Sequence, residues 1–343
     1  MTPVAARGDA NELARFRRIV NLTILATFLL ILIGGVVRVS DSGLGCGAAG
    51  SGTHGWPLCE GGVLPADSAE SVIEFSHRVA AAVVGLLIAF MVWRAIRRLR
   101  SYRSIVRGSI VAGVLVLAQA ALGGLTVEEG LEDELVAAHL GLAMLLLGLL
   151  ILLRRAAEPE TAAPPRRTIR GLRPLTGVTA VLVLATIVAG GYVAGTEYHG
   201  VVDQPVVGAH SACGQGWSAD QFPGCNGQGF LSFGQSRLGD IQLTHRLFMY
   251  LAAISVVLMA AVALRRGPPS RAFWIAPLIL VAQIALGAIN VWAGKHAGLI
   301  VAHLTLGTLL WGTVVYAGAS LLPATSRVSE GVGRREPAGV AAA

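Results

Sequence analysis

Gln119-Ala-Ala-Leu-Gly-Gly-Leu-Thr-Val127 returns 164 residues later as Gln283-Ile-Ala-Leu-Gly-Ala-Ile-Asn-Val291. Self-similarity at a fixed offset marks a duplicated unit. Small apolar residues match easily by chance, but His77-Arg78 also returns as His245-Arg246, and His139 as His303, at offsets of 168 and 164. Both copies of the motif lie in apolar stretches long enough to cross a bilayer as helices. Working outward, spans read at Ile19 to Val39, Ser76 to Ala95, Ile105 to Leu125, Leu135 to Leu153, Pro174 to Gly195, Ile241 to Leu264, Ala272 to Trp292 and Leu299 to Leu322. The repeat divides these eight spans into two sets of four and predicts an all-α integral membrane protein of two pseudo-symmetric four-helix bundles. Each half has an even number of helices, so the halves share one orientation, with the relating axis along the membrane normal.

Composition agrees: 54% of the 343 residues are hydrophobic, only 14% are charged, and the mean hydropathy is +0.66. A soluble fold is excluded. The net charge of +7 raises nucleic acid as a partner, but its placement argues for none, because the arginines collect in alternate loops as cytoplasmic retention requires. Arg15, Arg17 and Arg18 precede the first span, Arg94 to Arg107 join the second and third, Arg154 to Arg173 the fourth and fifth, and Arg265 to Arg271 the sixth and seventh. Glu128, Glu129, Glu132, Asp133 and Glu134 fill the opposite loop between spans three and four. Both termini are therefore expected in the cytoplasm. The first span is too long for a signal peptide and lacks a small-residue cleavage site after it. The expected organisation is a cytoplasmic tail over 1–18, a first half over 19–155, a linker over 156–173, a second half over 174–322 and a disordered tail over 323–343. Residues 1–13 are also expected to be disordered.

Four of the eight histidines recur in the repeat. His77 and His245 open their spans and His139 and His303 lie early in theirs, all on helices entering from outside. Each half thus holds two imidazoles at similar depth near the extracytoplasmic face, the arrangement that grips a flat macrocycle through its iron from both sides. An isolated intramembrane histidine is as well explained by packing; four at repeated positions favour haem. Bare zinc or copper on two histidines is the alternative, although no carboxylate or thiolate completes a clear set in the second half. His54, His199, His210 and His296 read as solvated loop residues. Arg78 and Arg246 are placed either to pair with haem propionates or to snorkel to the interface.

Two long loops on the outer side, Ser40 to Phe75 and Thr196 to Asp240, each hold two cysteines, and disulfides persist there. Cys46–Cys59 and Cys213–Cys225 are the expected pairs. Their default role is to shorten loops covering the helix ends. Glu74 lies three residues before His77, whereas the position three before His245 is Gln242. A titratable acid in one half only reads either as a helix-start carboxylate or as a catalytic group beside a haem ring; the asymmetry favours the second.

Gly34-Gly-Val-Val-Arg38, Ser42-Gly-Leu-Gly-Cys46, Trp56-Pro-Leu-Cys59, Glu74-Phe-Ser-His-Arg78, Leu243-Thr-His-Arg246 and the opening motif together resemble the haem A synthase family, over about Arg18 to Leu322. The resemblance implies conversion of haem O to haem A by two hydroxylations of a ring methyl and loss of water, for cytochrome oxidase. It implies haem b on His245 and His303, substrate haem near His77 and His139, and Glu74 as the catalytic acid. It further implies an electron-transfer part for Cys46 and Cys59, which their 13-position spacing weakens because the family interval is often shorter. Implied partners are haem O, membrane lipid, a haem O synthase and an electron-transfer protein, in a bacterial cell membrane. The other readings are a bis-histidine cytochrome exchanging electrons with quinone and a haem transporter or chaperone.

Overall fold

The computed structural model describes residues 3–158, 166–196, 208–227, 229–268, 270–294 and 296–322. The expected C-terminal tail, the middle of the linker and His199 lie outside the described residues. Among these residues the chain is helical, with eight helices long and apolar enough to cross a membrane: α1 Pro3–Val39, α2 Ala69–Arg98, α3 Arg103–Glu128, α4 Asp133–Ala156, α5 Arg166–Gly195, α6 Arg237–Arg266, α7 Ala272–Ala293 and α8 Ala297–Ala319. This is a multi-pass membrane protein.

Several helices begin earlier than hydropathy placed them. The stretch over residues 3–18, expected as tail, is helical and continuous with the first span; Phe16 is fully buried and Glu12 pairs with Arg94 of α2 at 2.7 Å. The helix α2 starts at Ala69 rather than Ser76, because Ser68 caps it by accepting the Ser71 N–H at 3.1 Å. Ser236 caps α6 in the same way through the Gly239 N–H at 3.0 Å. Such caps satisfy backbone donors that the helix itself cannot, so polar residues before the apolar run are drawn into the helix. His77 and His245 consequently lie about two turns inside their helices rather than at the first residue.

Helix contacts close two rings, α1–α2–α3–α4 and α5–α6–α7–α8, joined where α4 meets α5 and α8 and where α1 meets α8. The first ring is filled by Phe16, Val20, Ile88, Met91, Ile105 and Leu150. A second core runs across the junction, where Met144 and Leu147 of α4 pack with Val256, Met259, Phe273 and Trp311. Trp311 of α8 donates its indole N–H to the Met144 carbonyl at 2.8 Å, and Arg155 at the end of α4 reaches the carbonyls of Ala319 and Leu322. The outer faces carry Leu86, Leu117, Leu278 and Val281, all exposed, as lipid contact demands.

Candidate functional site

Each of the four repeated histidines lies against a glycine of the helix that precedes it. A Cβ on Gly34 of α1 would stand 3.1 Å from Cε1 of His77, and one on Gly123 of α3 would stand 3.1 Å from Cε1 of His139. Gly190 of α5 and Gly287 of α7 would come to 2.9 Å from Cε1 of His245 and His303. The imidazoles therefore rest on bare backbone, where any side chain would push them aside. Within each ring the two histidines are near enough to interact electrostatically.

The ring nitrogens are under-used. Nδ1 of His77, His139 and His303 is buried without a partner among the described residues. His245 Nδ1 approaches the Thr186 carbonyl at 2.9 Å; a carbonyl only accepts, so Nδ1 carries the proton and Nε2 keeps a free lone pair, the state a metal requires. Nε2 of His303 meets the side-chain nitrogen of Gln283 at 3.2 Å, whereas the matching Gln119 bonds the His139 carbonyl at 2.9 Å. Among the described residues no group of three or more His, Cys, Asp or Glu side chains is gathered for a bare metal ion. Two imidazoles per ring, with nitrogens left over, fit a metal whose other ligands come from a macrocycle.

Above the first ring, Glu74 is 3% exposed. Its Oε2 accepts the Cys46 N–H at 2.8 Å and its Oε1 accepts from Arg78, one helical turn on. Arg78 also donates to the Leu58 carbonyl at 2.7 Å. Both Nη atoms of Arg78 are thus engaged by the protein. The disulfide Cys46–Cys59 closes the loop that supplies both contacts. Trp56 of the same loop seats on Gly124, where a Cβ would lie 2.9 Å from its ring.

The second cysteine loop repeats this construction, which the sequence comparison missed. Cys213–Cys225 is closed; a short 3₁₀ turn over Ala209–Ser211 precedes Cys213 as Ser42–Leu44 precedes Cys46. The Cys213 carbonyl accepts the Asn226 N–H at 3.0 Å as that of Cys46 accepts Glu60 at 2.7 Å. The signal was present: Trp56-Pro-Leu-Cys59 and Phe222-Pro-Gly-Cys225 align 166 residues apart. Arg246 holds the carbonyls of Gln221, at 3.0 Å, and Gly224, the latter preceding the second cysteine as Leu58 does. Gln242 stands where Glu74 does, with a buried Oε1 that has no partner among the described residues. The four site glycines and Tyr250, whose buried hydroxyl has no partner among the described residues, were not singled out from sequence either.

The sequence model of the cytochrome oxidase assembly protein family (COX15-CtaA) matches residues 17–315. A protein of Symbiobacterium thermophilum named "Heme A synthase" is 32% identical over 326 residues, covering 89% of this chain and 95% of the relative. Proteins of the same name from Halalkalibacterium halodurans and Shouchella clausii are 27% and 28% identical over 305 and 313 residues, covering 86% and 88% of this chain and 93% and 95% of theirs. With almost the whole helical region matched in this way, the chain belongs to the haem A synthase family of cytochrome oxidase assembly proteins.

Proposed function

We propose that this protein is an oxidoreductase that converts haem O to haem A, oxidising one ring methyl to a formyl group by two successive hydroxylations followed by dehydration, and so provides the cofactor of cytochrome oxidase. The observation that carries the reading, beside family membership, is the inequality of the two rings. A buried carboxylate, Glu74, is fixed by an amide N–H and a guanidinium one turn from His77, while the matching position beside His245 is the neutral Gln242. On this reading the rings are duplicated halves with different tasks, the first for reaction and the second for a resident cofactor.

The substrate, haem O, would enter the first ring from the bilayer or from a haem O synthase, with its farnesyl tail among apolar side chains and its iron between His77 and His139. His245 and His303 would hold haem b, which when bound supplies one-electron storage and transfer, exchanged with a further electron partner. Glu74 would accept a proton at its carboxylate or stabilise positive charge developing at the methyl edge. Its two donors hold it ready, so little reorganisation is needed at the moment of reaction. The Cys46–Cys59 loop covers this end of the ring and limits water. The arginine distribution supports a topology with both termini in the cytoplasm and the histidines toward the other face.

The conversion adds one oxygen, from water or O2, and removes four electrons net from the methyl carbon, so the test is to incubate the purified protein in air with haem O and an electron-transfer partner and to analyse extracted haems by mass spectrometry. Conversion to haem A is expected. Glu74→Gln should abolish it while leaving the haem b spectrum in place, whereas an electron carrier would keep its redox activity in that variant and a transporter would release haem O unchanged. Unaltered haem O under turnover conditions would sink the reading.

A further inference from the structure

The arginines that follow the first histidine of each ring face different electrostatic situations. Arg78 and Arg246 each tie a guanidinium to the carbonyl that precedes the second cysteine of a loop. Four residues earlier on the same helix face, however, stands Glu74 in one case and Gln242 in the other. Glu74 closes the charge of Arg78. Gln242 cannot close that of Arg246, and the nearest acid on its helix, Asp240, accepts the Gly234 N–H at 2.7 Å. Arg246 is 2% exposed, with Nε and Nη2 unpartnered among the described residues.

An uncompensated guanidinium at such depth is strongly disfavoured, and the identity of its idle atoms says what would relieve it. The loop carbonyls take Nη1. Nε and Nη2 form the side edge of the guanidinium plane, the pair that receives both oxygens of one carboxylate. Phe222 covers the face of the group, 5.3 Å from ring centroid to carbon, and fixes that plane. The hydroxyl of Tyr250, one turn further along α6, supplies another group without a partner among the described residues. All of this adjoins His245.

We propose that Arg246 is a receptor for a carboxylate, a propionate of the porphyrin in the second ring, and that Arg78, closed by Glu74, is not. The inference rests on the reading that the second ring holds resident haem, and it adds a reason for residence: internal charge closure leaves the first ring without a grip on a propionate, so its haem can leave as product. Glu74 thereby has a second effect besides its chemistry.

The experiment is an optical titration of protein produced in haem-depleted cells, using protohaem and its dimethyl ester. In the unaltered protein the ester should bind about tenfold more weakly, as expected for losing a charge-assisted contact. Gln242→Glu, which closes Arg246 internally at the favourable spacing and leaves the loop carbonyls their donors, should erase that difference and lower haem b per chain. Arg246→Lys, which keeps the charge, should retain part of the difference. Equal binding of acid and ester by the unaltered protein, or an undiminished difference in Gln242→Glu, overturns the proposal alone. Absence of low-spin haem from the unaltered protein, or haem b indifferent to His303→Ala, overturns the resident-haem reading and the proposal with it.

Discussion

A methyl group on Gly287 would stand 2.9 Å from Cε1 of His303, closer than two carbons tolerate, so Gly287→Ala is expected to cost about 1–3 kcal/mol by overpacking. The source of that cost can be isolated with a double-mutant cycle measured by thermal unfolding of haem-free protein. In a His303→Ala background the imidazole is gone and the penalty should vanish; a penalty of equal size in both backgrounds would mean that the helices, not the ring, resent the methyl. Gly85→Ala, where a Cβ meets nothing within 4 Å, is the neutral control. Gly123 and Gly287 both sit in the repeated motif, 16 residues before their histidines. Their presence was legible; the contact was not, because it arises only when two helices pack. The loop contacts of Arg78 and Arg246 were hidden for a related reason: their carbonyl partners lie 20 and 22 residues away in irregular backbone.

Helices were recognised from hydropathy because eight stretches of membrane-spanning length leave few alternatives, but their starts were not, since Ser68 and Ser236 extend α2 and α6 into polar sequence. The loops between them make separable predictions. Replacing Cys213 and Cys225 by serine together should lower stability by about 2–4 kcal/mol, the usual effect of opening such a loop, read as a fall in the thermal midpoint. Replacing Cys46 and Cys59 should lower stability similarly and reduce haem A formation more than haem b content, because the Cys46 N–H is one of the donors that fix Glu74. Equal loss of both haems in the two double variants would show that the loops act only as covers. The pairing of the cysteines was readable from their loops, and the common ends of those loops from Trp56-Pro-Leu-Cys59 and Phe222-Pro-Gly-Cys225; the 3₁₀ turns and carbonyl contacts inside them needed coordinates.

For the molecule as a whole, the charge pattern gives an orientation that labelling can check. A cysteine at Glu129, introduced by Glu129→Cys, should react with an impermeant maleimide on intact cells, whereas Arg100→Cys should react only after permeabilisation; the reverse pattern would invert the topology. Counting spans by hydropathy captured the eight helices, yet not how they pack and join, since Trp311 bonding to the Met144 carbonyl and Arg155 to Ala319 involve residues far apart in sequence.

The glycine–histidine contact also identifies a unit smaller than a ring. It occurs once between α1 and α2, once between α3 and α4, once between α5 and α6 and once between α7 and α8. A hairpin of two helices therefore carries a seat for one of these imidazoles, and among the described residues no hairpin carries two. On the proposed reading, such a hairpin would be half of a haem site, two hairpins in sequence would form a whole one, and the four-hairpin chain would let one site take on chemistry while the other keeps a cofactor.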